Sequence, residues 1–379
     1  MNEPRQRPAQ ISNVRQPRFD SLQALRGVAA TLVVLLHITD LGHRRLNYTF
    51  LGDVFSCGYN GVDLFFLLSG FIITFVHHRD LGNPGRFRQF ATKRFIRIYP
   101  IYWIVTLALL PVFFFVPSFG IPDYREPITI VKSFLLIPRH NGPILGVAWT
   151  LCYEMWFYTL FGLAILFPFK ATAPLMVLYL IACVALWICR MVGVAPELSF
   201  GVDFVFNHLN LEFALGVLAA IVVLRRRVPK AGVLALIGAL LFAAVALNDA
   251  WILRTIGEKH RLVSYGIPSF LIIVGLAGIE MRRQVRIPRW LVYVGDASYS
   301  TYLVHVPVLS LAFKVLSKVG VISAAGPFMG LILVGIAPIA GGLLTHSFVE
   351  APLLAWCRAR IGIERRSSSP ESSAVPAAA

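Results

Sequence analysis

The chain is expected to be an all-α membrane protein, a polytopic bundle of about ten transmembrane helices with both termini cytoplasmic. Three observations predict this. Its residues are 57% hydrophobic and its mean hydropathy is +0.71. Charged residues make up only 14%, where soluble domains usually carry ~25%. Apolar runs long enough to cross a bilayer, roughly 20 residues, recur along the chain. The formal charge of +16 does not read as nucleic-acid binding, because the cations cluster in short connections rather than along one face.

Residues 1–20 hold Arg5, Arg7, Arg15 and Arg18 among polar residues, and are expected to be a disordered basic arm in the cytoplasm. A first span follows at 22–41, then an external loop at 42–58 and a second span at 59–78. A basic loop at 79–97 leads to spans at 99–119, 148–169 and 172–191. Further spans are expected at 207–224, 231–248, 263–280, 297–314 and 326–349. The transmembrane domain as a whole is assigned to 21–352, and 353–379 is read as a low-complexity cytoplasmic tail. Connections on the side of the termini hold about twice the Lys and Arg of the opposite ones, which sets the orientation by the positive-inside rule.

Ionisable residues inside such spans are costly, so they mark a bundle interior or a wet cavity. Arg26 and His37 interrupt the first span, LQALRGVAATLVVLLHITDL. Eleven residues make three helical turns plus about 20°, so the two share one stripe about 16 Å apart along the axis. They read as functional groups, or as a snorkelling Arg and a packed His. Asp63 enters the second span at a depth expected to match His37. It would orient and charge the imidazole, or else cap the helix start. Ser69-Gly70-Phe71 lies further along, as close helix packing or as an opened helix lining a channel. Glu154 is an intramembrane carboxylate in WTLCYE, able to act as acid or base or to pair with a buried Arg or Tyr. Ser298, Tyr302 and His305 are spaced i, i+4 and i+7 and share a face. Arg94 and Arg97 are three apart beside the membrane, suited to phosphate capture or to lipid headgroups. No Walker A, HExxH, CxxC or GxSxG motif occurs, so neither ATP-driven, zinc nor redox chemistry has support.

The ordered set LRG-then-His, GVDLFFLLSGF, RFIRIYPIYW, WTLCYE, SYSTYLVH and FVEAP resembles the integral-membrane acyltransferase family 3, the bacterial polysaccharide and O-antigen O-acetyltransferases. The resemblance runs from Leu22 to about Pro352 and is to the type without a C-terminal hydrolase-like domain. It implies that Arg26 and His37 form an essential pair and that Arg94 and Arg97 are the family's RxxR. Trp149-Thr150-Leu151 stands where the family usually has Trp-Ser-Leu, which keeps a hydroxyl.

The expectation is a multi-pass acyltransferase of the cytoplasmic (inner) membrane. It would move an acetyl group from cytoplasmic acetyl-CoA to a hydroxyl of a cell-surface or exported glycan, such as an exopolysaccharide. His37, Asp63 and Glu154 are the candidate catalytic residues; His37 is either a general base or an acyl carrier. Arg26, Arg94, Arg97 and Ser69 are assigned to the donor, and Tyr302 and His305 to the acceptor. The acceptor glycan, lipid-linked or in export, and membrane lipids are the expected partners, with no metal. A transporter or flippase of a glycan or anionic solute is the competing class.

Overall fold

The computed structural model describes residues 18–115, 122–250 and 260–361. Most of the expected N-terminal arm, the tail beyond 361 and the end of the third expected span lie outside these residues. The described chain is helical throughout. Helices α1 (Asp20–Leu41), α2 (Asn60–His77) and α3 (Pro84–Phe115) open the bundle. A short α4 (Pro127–Phe134) precedes α5 (Trp149–Leu166) and α6 (Phe169–Met191). Then come α7 (Phe200–Val205), α8 (Leu209–Arg225), α9 (Ala231–Asn248) and α10 (Ile267–Glu280). The chain closes with α11 (Arg289–Asp296), α12 (Ser298–Lys318), α13 (Val321–Thr345) and α14 (Ala351–Ile361). Among the described residues, ten helical segments are long and apolar enough to cross a membrane.

Two boundaries differ from the sequence expectation. The basic stretch after the second span is not a loop, because α3 already begins at Pro84, so Arg94 and Arg97 sit on a helix. Proline fits a first helical position, where its missing N–H has no partner to lose. At the other end α14 carries the helix to Ile361, into the segment expected as a tail.

Helix α1 is the central pillar, packed against α2, α10, α11, α12 and α13. Its buried face carries Leu22, Ala29, Ala30, Val33, Val34 and Ile38. Helices α2 and α8 approach so closely that a Cβ on Gly70 would meet the Phe213 carbonyl, and one on Gly216 the Leu67 carbonyl. This is small-residue packing of the kind membrane helices use in place of a hydrophobic drive. Gly70 is thus a contact residue in an unbroken helix, not the opening of one.

One segment does not cross the bundle. The chain from α4 to the start of α5 turns back into the interior. Three aromatic side chains halfway along α3 receive it: the Tyr102 hydroxyl donates to the Ser133 carbonyl at 2.6 Å, Trp103 Nε1 to Phe134 at 2.9 Å, and the Tyr99 hydroxyl to Leu135 at 3.2 Å. These carbonyls end α4, where the regular helical pattern runs out; only the Ser133 carbonyl of the three also accepts a backbone N–H, that of Leu136 at 3.0 Å, among the bonds of the described residues. Irregular backbone is tolerated at membrane depth only where protein satisfies it. The IYPIYW motif does this, and α5 therefore starts inside the bundle.

Asp63 does not pair with His37. It is fully buried on another face of α2, where Arg261 Nη2 donates to both carboxylate oxygens at 2.9 Å. Nor does its side chain cap the helix. Glu212 on α8 lies beside the pair. Arg261 also contacts the Tyr59 carbonyl and ring. The ion pair ties the segment before α10 to α2. Removing one partner would strand the other charge, so Asp63→Ala and Arg261→Ala are each expected to destabilise the protein by about 3–5 kcal/mol. The double variant should cost less than the sum. Thermal unfolding of the purified protein in detergent measures all three; additive losses would mean that the pair is not coupled.

Candidate functional site

Two cavities run end to end through the middle of the bundle. The upper one is lined by Val62, Phe65, Phe66, Leu151, Thr150 and Tyr302. The lower one is lined by Ile72, Arg94, Arg97, Ile98 and Tyr158. Arg26, Ser69, Glu154 and Tyr299 line both and form a waist between them.

The waist is polar. Glu154 Oε1 accepts from Ser69 Oγ at 3.1 Å and from the Tyr158 hydroxyl one turn further along α5. Glu154 therefore lies at the waist with Arg26 and Ser69. Tyr158 is the buried Tyr that the alternative reading of Glu154 asked for, and it was findable from its i+4 spacing.

Arg26 has no hydrogen bond or ion pair with a described residue, and its Nε is buried and unpartnered. Glu154 and Glu350 are its acidic neighbours, offset by Arg97. Arg94 and Arg97 are both brought to the lower cavity, but they differ. Arg97 Nη1 donates to Glu350 Oε1 at 2.5 Å, and its guanidinium lies 5.3 Å from the Tyr299 ring. Glu350 is fully buried and also accepts from Ser300 Oγ at 2.7 Å and His346 Nδ1 at 2.9 Å. The charge of Arg97 is thus already matched. Arg94 Nη2 donates to His77 Nε2 at 3.2 Å, and His77 Nδ1 in turn donates to Asp80 Oδ2 at 2.7 Å. Arg94 has no carboxylate partner and keeps a buried, unpartnered Nε. Its guanidinium lies over the Tyr158 ring at 5.5 Å. Glu350 belongs to the FVEAP stretch but fell just past the last expected span, which hid it as an intramembrane carboxylate.

Arg26 and His37 do share one stripe of α1, and it faces α12. Arg26 meets the cavities beside Ser298 and Tyr299. Further along, the His37 and His305 rings are 4.8 Å apart, edge to face at 76°. The far end of the upper cavity leads to them: Phe65 and Tyr302 rings are 5.8 Å apart, Tyr302 and His305 rings 5.5 Å. Thr150 and Tyr302 hydroxyls are 2.9 Å apart, and Tyr302 also donates to the Val147 carbonyl at 3.1 Å. His37 Nδ1 lies 2.8 Å from the Val33 carbonyl, and His305 Nδ1 lies 2.6 Å from the Tyr302 carbonyl. A carbonyl only accepts, so each Nδ1 carries a proton, and the lone pair of the ring's neutral form is at Nε2. The support expected for His37 from Asp63 or Glu154 comes instead from its own helix.

The family model "Acyltransferase domain" matches residues 19–346. The exopolysaccharide production protein ExoZ of Rhizobium meliloti is 27% identical over 321 residues, 82% of this chain and 93% of that protein. The acyltransferase MdmB of Streptomyces mycarofaciens is 27% identical over 382 residues, 90% of this chain and 92% of that protein. The O-acetyltransferase OatA of Staphylococcus aureus is 24% identical over 329 residues, 79% of this chain and 52% of that protein. No solved structure gives a significant match.

An unmatched guanidinium inside the bundle costs stability that an apolar side chain of similar length would not. Arg26→Met is therefore expected to stabilise the ligand-free protein by about 1–2 kcal/mol, read as a higher unfolding temperature in detergent. A lower unfolding temperature would mean that Arg26 has a structural partner.

Proposed function

Because the chain belongs to this acyltransferase family and is a multi-pass membrane acyltransferase, we propose that it transfers an acetyl group from acetyl-CoA to a hydroxyl of a cell-surface or exported glycan. The observation that carries this reading is a pair of adjoining cavities whose chemistry changes in order. A cationic part at Arg94 is followed by a polar waist with the unmatched Arg26 and by an apolar chamber that reaches Tyr302, whose ring contacts His305, the neighbour of His37. An acyl-CoA has a similar order: phosphates, a pantetheine arm and a thioester.

In this reading the protein lies in the cytoplasmic membrane with both termini inside, since the cationic part with Arg94 is then on the side where CoA is made. The excess of Arg and Lys in the connections at that end supports the orientation. Arg94 takes the donor phosphates, because planar guanidinium suits them and no carboxylate competes for it. Arg97, held by Glu350, shapes the same wall rather than supplying a free charge. Arg26 binds the donor at the waist, beside Ser69, and its unmatched charge stabilises negative charge there. Glu154, joined to Ser69 and Tyr158, is the proton-exchanging group of the donor side. His37 meets the thioester at the far end of the apolar chamber. It either takes the proton of the acceptor hydroxyl or carries the acyl group. Tyr302 lines the acceptor side. The acceptor is a glycan of the exopolysaccharide or O-antigen kind, lipid-linked or in export. ExoZ, named for exopolysaccharide production, supports this class.

The test is the acetyl content, by proton NMR, of exported polysaccharide from a deletion strain complemented with wild type or with His37→Ala. Wild type is expected to restore acetylation and His37→Ala to leave it at least a hundredfold lower. Restoration by the variant to the wild-type level would sink the reading. With purified protein, Arg94→Ala is expected to raise KM for acetyl-CoA about tenfold or more and to leave KM for the acceptor within about twofold. An unchanged KM for acetyl-CoA would remove Arg94 from the donor site.

A further inference from the structure

In the function proposed above, donor and acceptor meet at His37, and one ring nitrogen serves both. His37 Nδ1 is committed to the Val33 carbonyl, so Nε2 alone can react. If Nε2 takes the acyl group, it cannot also take the proton of the acceptor hydroxyl. A second base is then required within reach of the same carbon. Neither carboxylate considered for that task qualifies, since Asp63 is bound by Arg261 and Glu154 sits at the waist beside Ser69.

His305 fits the vacancy. Its ring is in edge-to-face contact with His37, and its Nδ1 is fixed by the Tyr302 carbonyl. That leaves Nε2 with a lone pair. This nitrogen is fully buried and has no hydrogen-bond partner. Buried polar atoms are rarely left unmatched, and one beside a reactive group asks for an explanation in ligand or mechanism. His37 and His305 stand on neighbouring helices of the central packing, α1 and α12, so their separation is held by rigid elements.

We infer that the two histidines divide the work: His37 Nε2 is the acyl carrier, and His305 Nε2 is the base that accepts the acceptor's proton. This rests on the donor and on the role of His37 proposed above. In the first step His37 Nε2 attacks the thioester carbonyl, the N–C bond forms and the C–S bond breaks. The thiolate leaves with the electron pair and takes a proton from water at the donor end. In the second step the acceptor oxygen attacks the same carbonyl and the new C–O bond forms. The N–C bond breaks, and the hydroxyl proton passes to His305 Nε2 and from there to water at the acceptor end. His37 returns as neutral imidazole with its Nδ1 proton still on Val33. No oxidant or metal is needed for the balance.

The experiment uses the full-length protein in detergent, acetyl-CoA, and de-acetylated polysaccharide from the deletion strain, with free thiol as the readout. Wild type is expected to release one thiol per protein rapidly without acceptor, and to turn over with it. His305→Gln should keep the burst within about threefold and lose a hundredfold or more of the turnover to polysaccharide, the usual worth of a general base. Hydroxylamine attacks acyl groups without needing a base, so it should restore thiol turnover in His305→Gln to within about threefold of wild type with the same reagent. A structural lesion would not be rescued in this way. His37→Ala should lose burst, turnover and rescue together.

Loss of the burst in His305→Gln, failure of hydroxylamine to rescue it, or undiminished turnover to polysaccharide each overturns the division of labour. Turnover by wild type without any burst, and without an acid-labile acetyl group on the protein, overturns the acyl-carrier step while leaving the donor assignment standing. No thiol release by wild type from acetyl-CoA, with or without polysaccharide, overturns the donor reading itself.

Discussion

A polar group inside a hydrocarbon solvent has no water to fall back on. That constraint organises this bundle. Some intramembrane charges are matched in full, as Asp63 is by Arg261 and Glu350 is by Arg97, Ser300 and His346. They join helices far apart in the chain and have no spare capacity for a ligand. Among the groups without a partner, Arg26 and the Nε of Arg94 belong to residues that line the cavities, and the Nε2 of His305 lies beside His37.

The same constraint explains the re-entrant segment. Its carbonyls at the end of α4 are taken up by Tyr99, Tyr102 and Trp103 of α3. From α5, Glu154 meets Ser69 and Arg26. Donor-side and acceptor-side chemistry are thereby separated along one axis. The waist holds the carboxylate and the unmatched cation, while the two imidazoles wait at the far end. The apolar chamber lies between them.

Much of this was legible residue by residue. Ten spans, the shared stripe of Arg26 and His37, the polar face of Ser298, Tyr302 and His305, and the pairing of Arg94 with Arg97 follow from run length and a period of 3.6. What misled was depth. Asp63 and His37 are each about four residues inside their spans, yet equal depth says nothing about facing. Asp63 points to a different neighbour, and its partner Arg261 is 198 residues away in the chain. Arg97 looked equivalent to Arg94 until Glu350, 253 residues away, was seen to hold it.

The sequence by itself determined the solvent, the helical class, the number of crossings and which residues are out of place in a membrane. These depend on composition and on the fixed pitch of a helix, both local properties. Only the tertiary structure decided which of those residues are matched and which are left open. Matching is a contact between helices that are neighbours in space but not in sequence. The distinction between Asp63 as a tie and His305 with an unpartnered Nε2, and between Arg97 as a strut and Arg26 as an unpaired cation, exists only once α1, α2, α3 and α12 are packed together.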